Sequence, residues 1–130
     1  MNKVCSVNII GIGSYLPEKT ITNLDLSKLV DTSDEWIVER TGIRERRIVE
    51  DRVATSDIST IAAKRAIKDA NILPEDIDLI IVATATPDMA FPSTACIVQK
   101  NIGAVNAIAF DICVGCSGFI YGLGVGYSFI

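Results

Sequence analysis

The sequence predicts an α/β fold with a largely parallel sheet. Three observations carry that expectation. The uninterrupted apolar run "IDLIIVATAT" suits a strand, Leu79 to about Ala83, covered on both faces. The stretch "RVATSDISTIAAKRAIKDANILP" before it has helical periodicity. A second helix-like stretch, "STACIVQKNI", leads into another strand, "NAIAFDI". Strands alternating with helices are joined most simply as parallel crossovers. At 130 residues the chain is at most one domain of ordinary size, and 49% hydrophobic with 22% charged places it in the globular range.

Each element has its own signal. Val4 to Ile12 alternate loosely and then run apolar, as a strand would. "GIGSYLPEK" follows as a turn, punctuated by Gly11, Gly13 and Pro17. "TNLDLSKLV" reads as a short helix capped at Thr22 or Asn23. "DTSDEWIVERTG" reads as another, with Thr32 or Ser33 as cap, Arg40 in the last turn and Gly42 as stop. In the long helix Thr55 or Ser56 is the expected cap. Ile58, Ala62, Ala66 and Ala70 share a stripe with Ile61, and Lys64, Arg65 and Lys68 face out. Pro74 ends that unit. "PDMAFPS" is a loop, and the next helix starts near Pro92 and stops at Gly103.

Composition excludes several classes. A net charge of −4 argues against a nucleic-acid scaffold. The start "MNKVCSVNII" is too short and too interrupted for a secretory signal. Cys5, Cys96, Cys113 and Cys116 are too few for a disulfide scaffold, which points to a reducing cytoplasm and free thiols. From Ile112 to Ile130 no residue is charged, a length that meets the test for a membrane span. Five glycines, Gly115, Gly118, Gly122, Gly124 and Gly126, make it a poor lipid-facing surface, and a helix buried inside a layered fold is the better reading. Such a helix needs a close partner for its glycine stripe, and the sequence names none within the chain.

The chemistry centres on "FDICVGCSGF". Cys116 falls where a strand hands over to a helix, beside exposed amides and the positive end of the helix dipole. That setting favours a thiolate, and the amides suit a developing oxyanion. Cys113 should still lie in the strand as an inert core residue. The residues alone leave other readings open. A small buried thiol is the commoner use of cysteine. "CVGC" also has redox spacing, although little chain follows it. A zinc site would need all four cysteines, and Cys5 and Cys96 lack paired spacing. Trp36 and Arg40 lie four apart on one helix face and could stack a purine and meet its phosphates. From the residues alone, a partly buried indole beside a solvated arginine is the preferred reading. Arg44, Arg46 and Arg47 extend a positive patch, or are a solvated charge run. Phe91 could be ordinary loop packing.

"GIGSYLPE", "DTSDEWIVERTGIRERR", "ATATPDMAFPSTAC" and "FDICVGCSGF" together resemble β-ketoacyl-acyl-carrier-protein synthase III, the initiating condensing enzyme of bacterial type II fatty-acid synthesis. The resemblance covers essentially all of residues 1–130. It implies the amino-terminal half of a thiolase-like five-layer αβαβα fold, with a mixed, largely parallel sheet and a buried central helix. It implies that Cys116 accepts an acyl group from acyl-CoA and that the acyl-enzyme condenses with malonyl-acyl carrier protein. Cys113 falls on a position without a catalytic role. The family's histidine and asparagine come from the other half, and this chain holds no histidine. The isolated chain is therefore expected to be inactive in condensation, and with half its central layer unpaired it is expected to be poorly stable, swapped or oligomeric.

Further roles follow by the same resemblance. Trp36 would stack the adenine of CoA, Arg40 would approach its phosphates and Thr32 would contact the base. Phe91 would cross a homodimer interface and close the partner's acyl pocket. No cofactor and no metal are implied, acyl-CoA being a substrate. The partners are acyl-CoA, malonyl-acyl carrier protein and a second copy, with no nucleic acid or membrane, in the cytoplasm. A related synthase of polyketide or quinolone type, and a non-catalytic CoA-binding fragment, are the alternatives.

Overall fold

A computed structural model describes residues 6–130, so Val4 and Cys5 lie outside the described residues. The described chain divides into two compact units, one of Leu16–Val53 and one of residues 6–15 with Ala54–Ile130.

The larger unit is built on the strand–helix–strand crossover read from the sequence. Strands β3 (Leu79–Ala83) and β4 (Ile108–Ile112) pair in parallel, from Leu79 opposite Ile108 to Ala83 opposite Ile112. Helix α4 (Thr94–Ile102) connects them, capped by Ser93 and stopped by Gly103 at φ 82°. The period of two along β3 sorts its side chains between two faces. Ile80 and Val82 pack against Val98, Ile102, Ala104 and Ala107, joined by Ala63 and Ile67 of helix α3 (Thr55–Ala70). Ile81 lies against helix α5 (Gly118–Ser128) on the other face. The unit is thus helix, sheet, helix. Burying Val98, 2% exposed, is worth roughly 1.5–3 kcal/mol.

Four expectations are corrected here. The first strand does not form in residues 6–12. Instead this segment crosses α3 closely: a Cβ on Gly11 would lie 2.6 Å from the Ala66 carbonyl oxygen, and the Ile12 amide donates to Asp69 at 2.9 Å. Its backbone is thereby committed to a helix surface. Neither Thr55 nor Ser56 caps α3. Ala54 is the N-cap, its amide donates to Asp57, and the Ser56 amide donates to Asp88 at 2.9 Å. The Thr55 hydroxyl is drawn off to the Thr86 carbonyl, 2.6 Å away. The inward stripe of α3 includes Ala63 and Ile67, whereas Ile61 is exposed, because the core cluster lies a turn further round. Lastly, the glycine stripe of α5 has its partner within the chain. Gly122 faces Ile112 and Ile81, Gly126 faces Ile81, and a Cβ on Gly118 would lie 2.9 Å from that of Ala83. The bulky strand isoleucines take the room that the missing side chains leave. The opposite face of α5 is open, with Phe119 71% and Ile120 66% exposed, so this helix is buried on one side only.

The smaller unit starts and ends on an antiparallel ribbon. Strands β1 (Thr20–Thr22) and β2 (Glu45–Arg47) pair Thr20 with Arg47 and Thr22 with Glu45. Helices α1 (Asn23–Leu26) and α2 (Asp34–Thr41) lie between them in sequence. In α1, Thr22 and Asp25 close a reciprocal capping box. The helix is shorter than expected, since Leu24, Leu29 and Val30 are exposed and give it no apolar face to extend along.

Candidate active site

Cys116 sits as expected at the strand-to-helix junction. Strand β4 ends at Ile112, a single 3₁₀ turn spans Gly115–Ser117, and α5 begins at Gly118. Gly115 has φ +56°, a left-handed backbone that other residues adopt at a cost. It reverses the chain just before the thiol. Gly118 lets the start of α5 press onto Ala83 at the end of β3. Cys116 is exposed, so a thioester can reach its sulfur. Cys113 departs from expectation. It lies one residue past β4 and is exposed, because the strand ends before it. Both are free thiols. Among the described residues no cluster of histidine, cysteine or acidic groups could hold a metal ion.

Because β3 and β4 are parallel, the connections that follow them leave the same edge of the sheet. Binding sites of open α/β sheets gather at such edges. One connection carries Cys116. The other, between β3 and α4, carries Phe91, whose side chain is 88% exposed rather than packed into the loop. Two carboxylates that the sequence reading passed over brace this edge. Asp111 of β4 accepts from the amides of Thr94 and Ala95 at 2.8 and 2.7 Å, holding the first turn of α4. Asp88 accepts from Ser56, and its own amide donates to Thr94 Oγ1 at 3.2 Å. Their signal was legible in principle: an acid in the apolar strand "IAFDI" needs donors, and a helix start supplies them.

In the smaller unit, Thr32, Trp36 and Arg40 come together. Ser33 caps α2 by accepting from the Trp36 amide at 3.1 Å, and Gly42 ends it at φ 72°. Trp36 is 53% exposed. The Arg40 guanidinium lies 4.8 Å from the centre of its ring, a cation–π contact. Asp31, Thr32, Ser33 and Trp36 line a cavity of about 350 Å³. The wider positive patch is corrected in part. Arg46 donates to the buried Asn23, and Arg47 donates to the carbonyls of Pro17 and Glu18, so both are spent on structure. Asn23, read only as a possible cap, is a fully buried hub.

Comparison with known proteins bears on this arrangement. A synthase III from Caldanaerobacter subterraneus is 67% identical over 125 residues, which is 96% of this chain and 38% of that protein. The chain resembles part of β-ketoacyl-[acyl-carrier-protein] synthase III. The enzyme of that name from Clostridium kluyveri is 62% identical over the whole chain and 39% of its own length. The crystal structure of 3-oxoacyl-[acyl-carrier-protein] synthase III from Aquifex aeolicus superposes with a TM-score of 0.87 at 55% identity, covering 93% of this chain and 39% of that one. A priming β-ketosynthase of the R1128 polyketide pathway superposes at 0.85 with 35% identity, over 91% of this chain and 35% of that one. No family model matches. The chain thus spans about two-fifths of the length of its synthase III relatives. Its fold is that of part of these thiolase-like condensing enzymes.

Proposed function

We propose that the chain carries the acyl-accepting thiol and the CoA-binding face of an initiating condensing enzyme of fatty-acid synthesis. The observation that carries this reading is the exposed Cys116 in a glycine-bent turn at the start of α5. The Cys116 thiolate attacks the thioester carbonyl of a short acyl-CoA. A new C–S bond forms as the bond to CoA breaks, and CoA leaves as a thiolate that takes up the proton. Backbone amides of the turn, that of Cys116 among them, hold the oxyanion of the tetrahedral intermediate. Malonyl-acyl carrier protein then loses CO₂, and the resulting carbanion attacks the acyl-cysteine. That step forms the 3-oxoacyl-acyl carrier protein and releases Cys116. The histidine and asparagine that would stabilise the enolate belong to the remainder of such an enzyme.

Trp36 presents an indole face to adenine, Arg40 meets the phosphates and Thr32 contacts the base. Phe91 reaches across a homodimer and bounds the partner's acyl pocket, which its exposure permits. The reaction needs no cofactor, and the cytoplasm supplies both thioesters. Among the described residues no helix is long and apolar enough to cross a membrane.

Limiting iodoacetamide tests the thiol. Cys116 should be alkylated well before Cys113, and prior acetyl-CoA should protect it with the mass gain of one acetyl group. Equal labelling of the two exposed cysteines would remove the catalytic assignment. The chain alone should give no 3-oxoacyl product, and product at an ordinary rate would show that the other catalytic groups are already present. In the complete enzyme, Phe91→Ala should shift the preference among straight and branched primers several-fold. The polyketide reading is kept alive by the R1128 neighbour, and a preference for longer primers would favour it.

A further inference from the structure

We infer that Asn23 is a positioning residue for the nucleotide-binding face of α2, an inference that rests on the reading of Trp36 and Arg40 as CoA ligands. Asn23 is 1% exposed. Its Nδ2 donates to Asp34 Oδ1 at 2.8 Å and to the Ile43 carbonyl at 2.7 Å, and its Oδ1 accepts from Arg46 Nη1 at 2.8 Å. Both amide protons and the acceptor are in use. Its backbone N–H donates to the Arg44 carbonyl at 3.2 Å. Asp34 opens α2, and Ile43 directly follows the Gly42 that closes it. One carboxamide therefore grips both flanks of the helix that bears Trp36 and Arg40.

The grip matters because apolar packing beneath this helix is thin. Ile37 is the only buried hydrophobic residue of the 16–53 unit among the described residues. A single aliphatic contact does not fix how a helix is rotated about its axis. Directional hydrogen bonds in a water-poor site do. Asn23 touches no part of the cavity lined by Asp31, Thr32, Ser33 and Trp36, so it acts through α2 and not on the ligand.

Trp36 is the only tryptophan, so its fluorescence reports the site directly. CoA is titrated into the 130-residue chain, and the dissociation constant is read from quenching of Trp36. Far-UV circular dichroism and a denaturant midpoint are recorded alongside. Asn23→Asp keeps the shape and the acceptor for Arg46 but sets a carboxylate against Asp34. It should weaken CoA about tenfold with the circular dichroism unchanged, since both Nδ2 hydrogen bonds, to Asp34 and to the Ile43 carbonyl, are lost. Adding Asp34→Asn restores a donor opposite the new carboxylate and should recover part of the affinity, the Ile43 carbonyl remaining without its donor. A lower midpoint with undiminished affinity in the folded variant would mean a merely structural role and would overturn the inference. Should Asn23→Asp not fold, Asp34→Ala is the second probe. It should weaken CoA by a few-fold, and unchanged affinity there also overturns the inference. A wild-type chain that CoA does not quench overturns the nucleotide reading itself, and this inference with it.

Discussion

Cys116 and Trp36 are both presented to solvent, but the two units hold them by different physics. The turn carrying Cys116 is flanked by β4 and α5, which pack through isoleucines and glycines, with the apolar cluster around Val98 on the other face of the sheet. Polar groups at its edge, Asp111 and Asp88, tie down helix starts. The helix carrying Trp36 has Ile37 beneath it and depends on Asn23. The first arrangement is strong and non-directional. The second is weaker and specifies angles. A nucleophile in a turn needs an immovable base, whereas a stacking platform needs a defined tilt.

Substitutions sharpen this contrast. Val98→Ala should cost the most, about 2.5 kcal/mol, through lost burial and the cavity left behind. A denaturant midpoint hardly different from wild type would mean the apolar cluster does not dominate its unit. Asp111→Ala should follow at about 2 kcal/mol, since it strips two amide bonds from the first turn of α4. A cost above that of Val98→Ala would reverse the ranking of apolar over polar in the sheet unit. Ser33→Ala removes the cap of α2 and should cost about 1 kcal/mol while loosening CoA slightly. An unmoved Trp36 signal on CoA titration would show that the cap contributes nothing to the platform.

The smallest effect concerns acid. Hydrogen bonds from the Thr22 side chain, then from Lys28 and the Thr22 amide, pull the exposed Asp25 carboxyl from its ordinary 3.8 down to about 2. A carboxyl depressed in the folded state contributes stability above its unfolded value and loses it as pH falls through the folded one. The α1 cap should therefore persist at pH 4 and weaken towards pH 2. A carboxyl NMR titration of Asp25 with its midpoint near 4 would deny the capping box.

The sheet body was legible because its signals are local. The run Leu79–Ala83 is apolar throughout, and Ser93 and Gly103 bracket α4 with the residue types that helix ends require. Strands β1 and β2 were not legible. Each is three residues long and largely polar, and pairing such as Thr20 with Arg47 joins residues far apart in the sequence. The glycine stripe was legible as a close approach but not as to its partner, since small residues announce contact without naming the contacting surface. Cys116 stood out because a strand, a glycine and a helix meet around it. Asn23 did not, because the sequence TNLD presents it as an ordinary helix start, and only burial reveals that its amide points inward.

The outer face of α5 carries Phe119, Ile120, Leu123 and Tyr127, with Phe119 and Ile120 the most exposed of them. Water wets such a ridge poorly. Handled alone, the polypeptide should therefore behave as an adhesive, binding fluorescent apolar dyes, sedimenting faster as its concentration rises and staying dispersed in mild detergent.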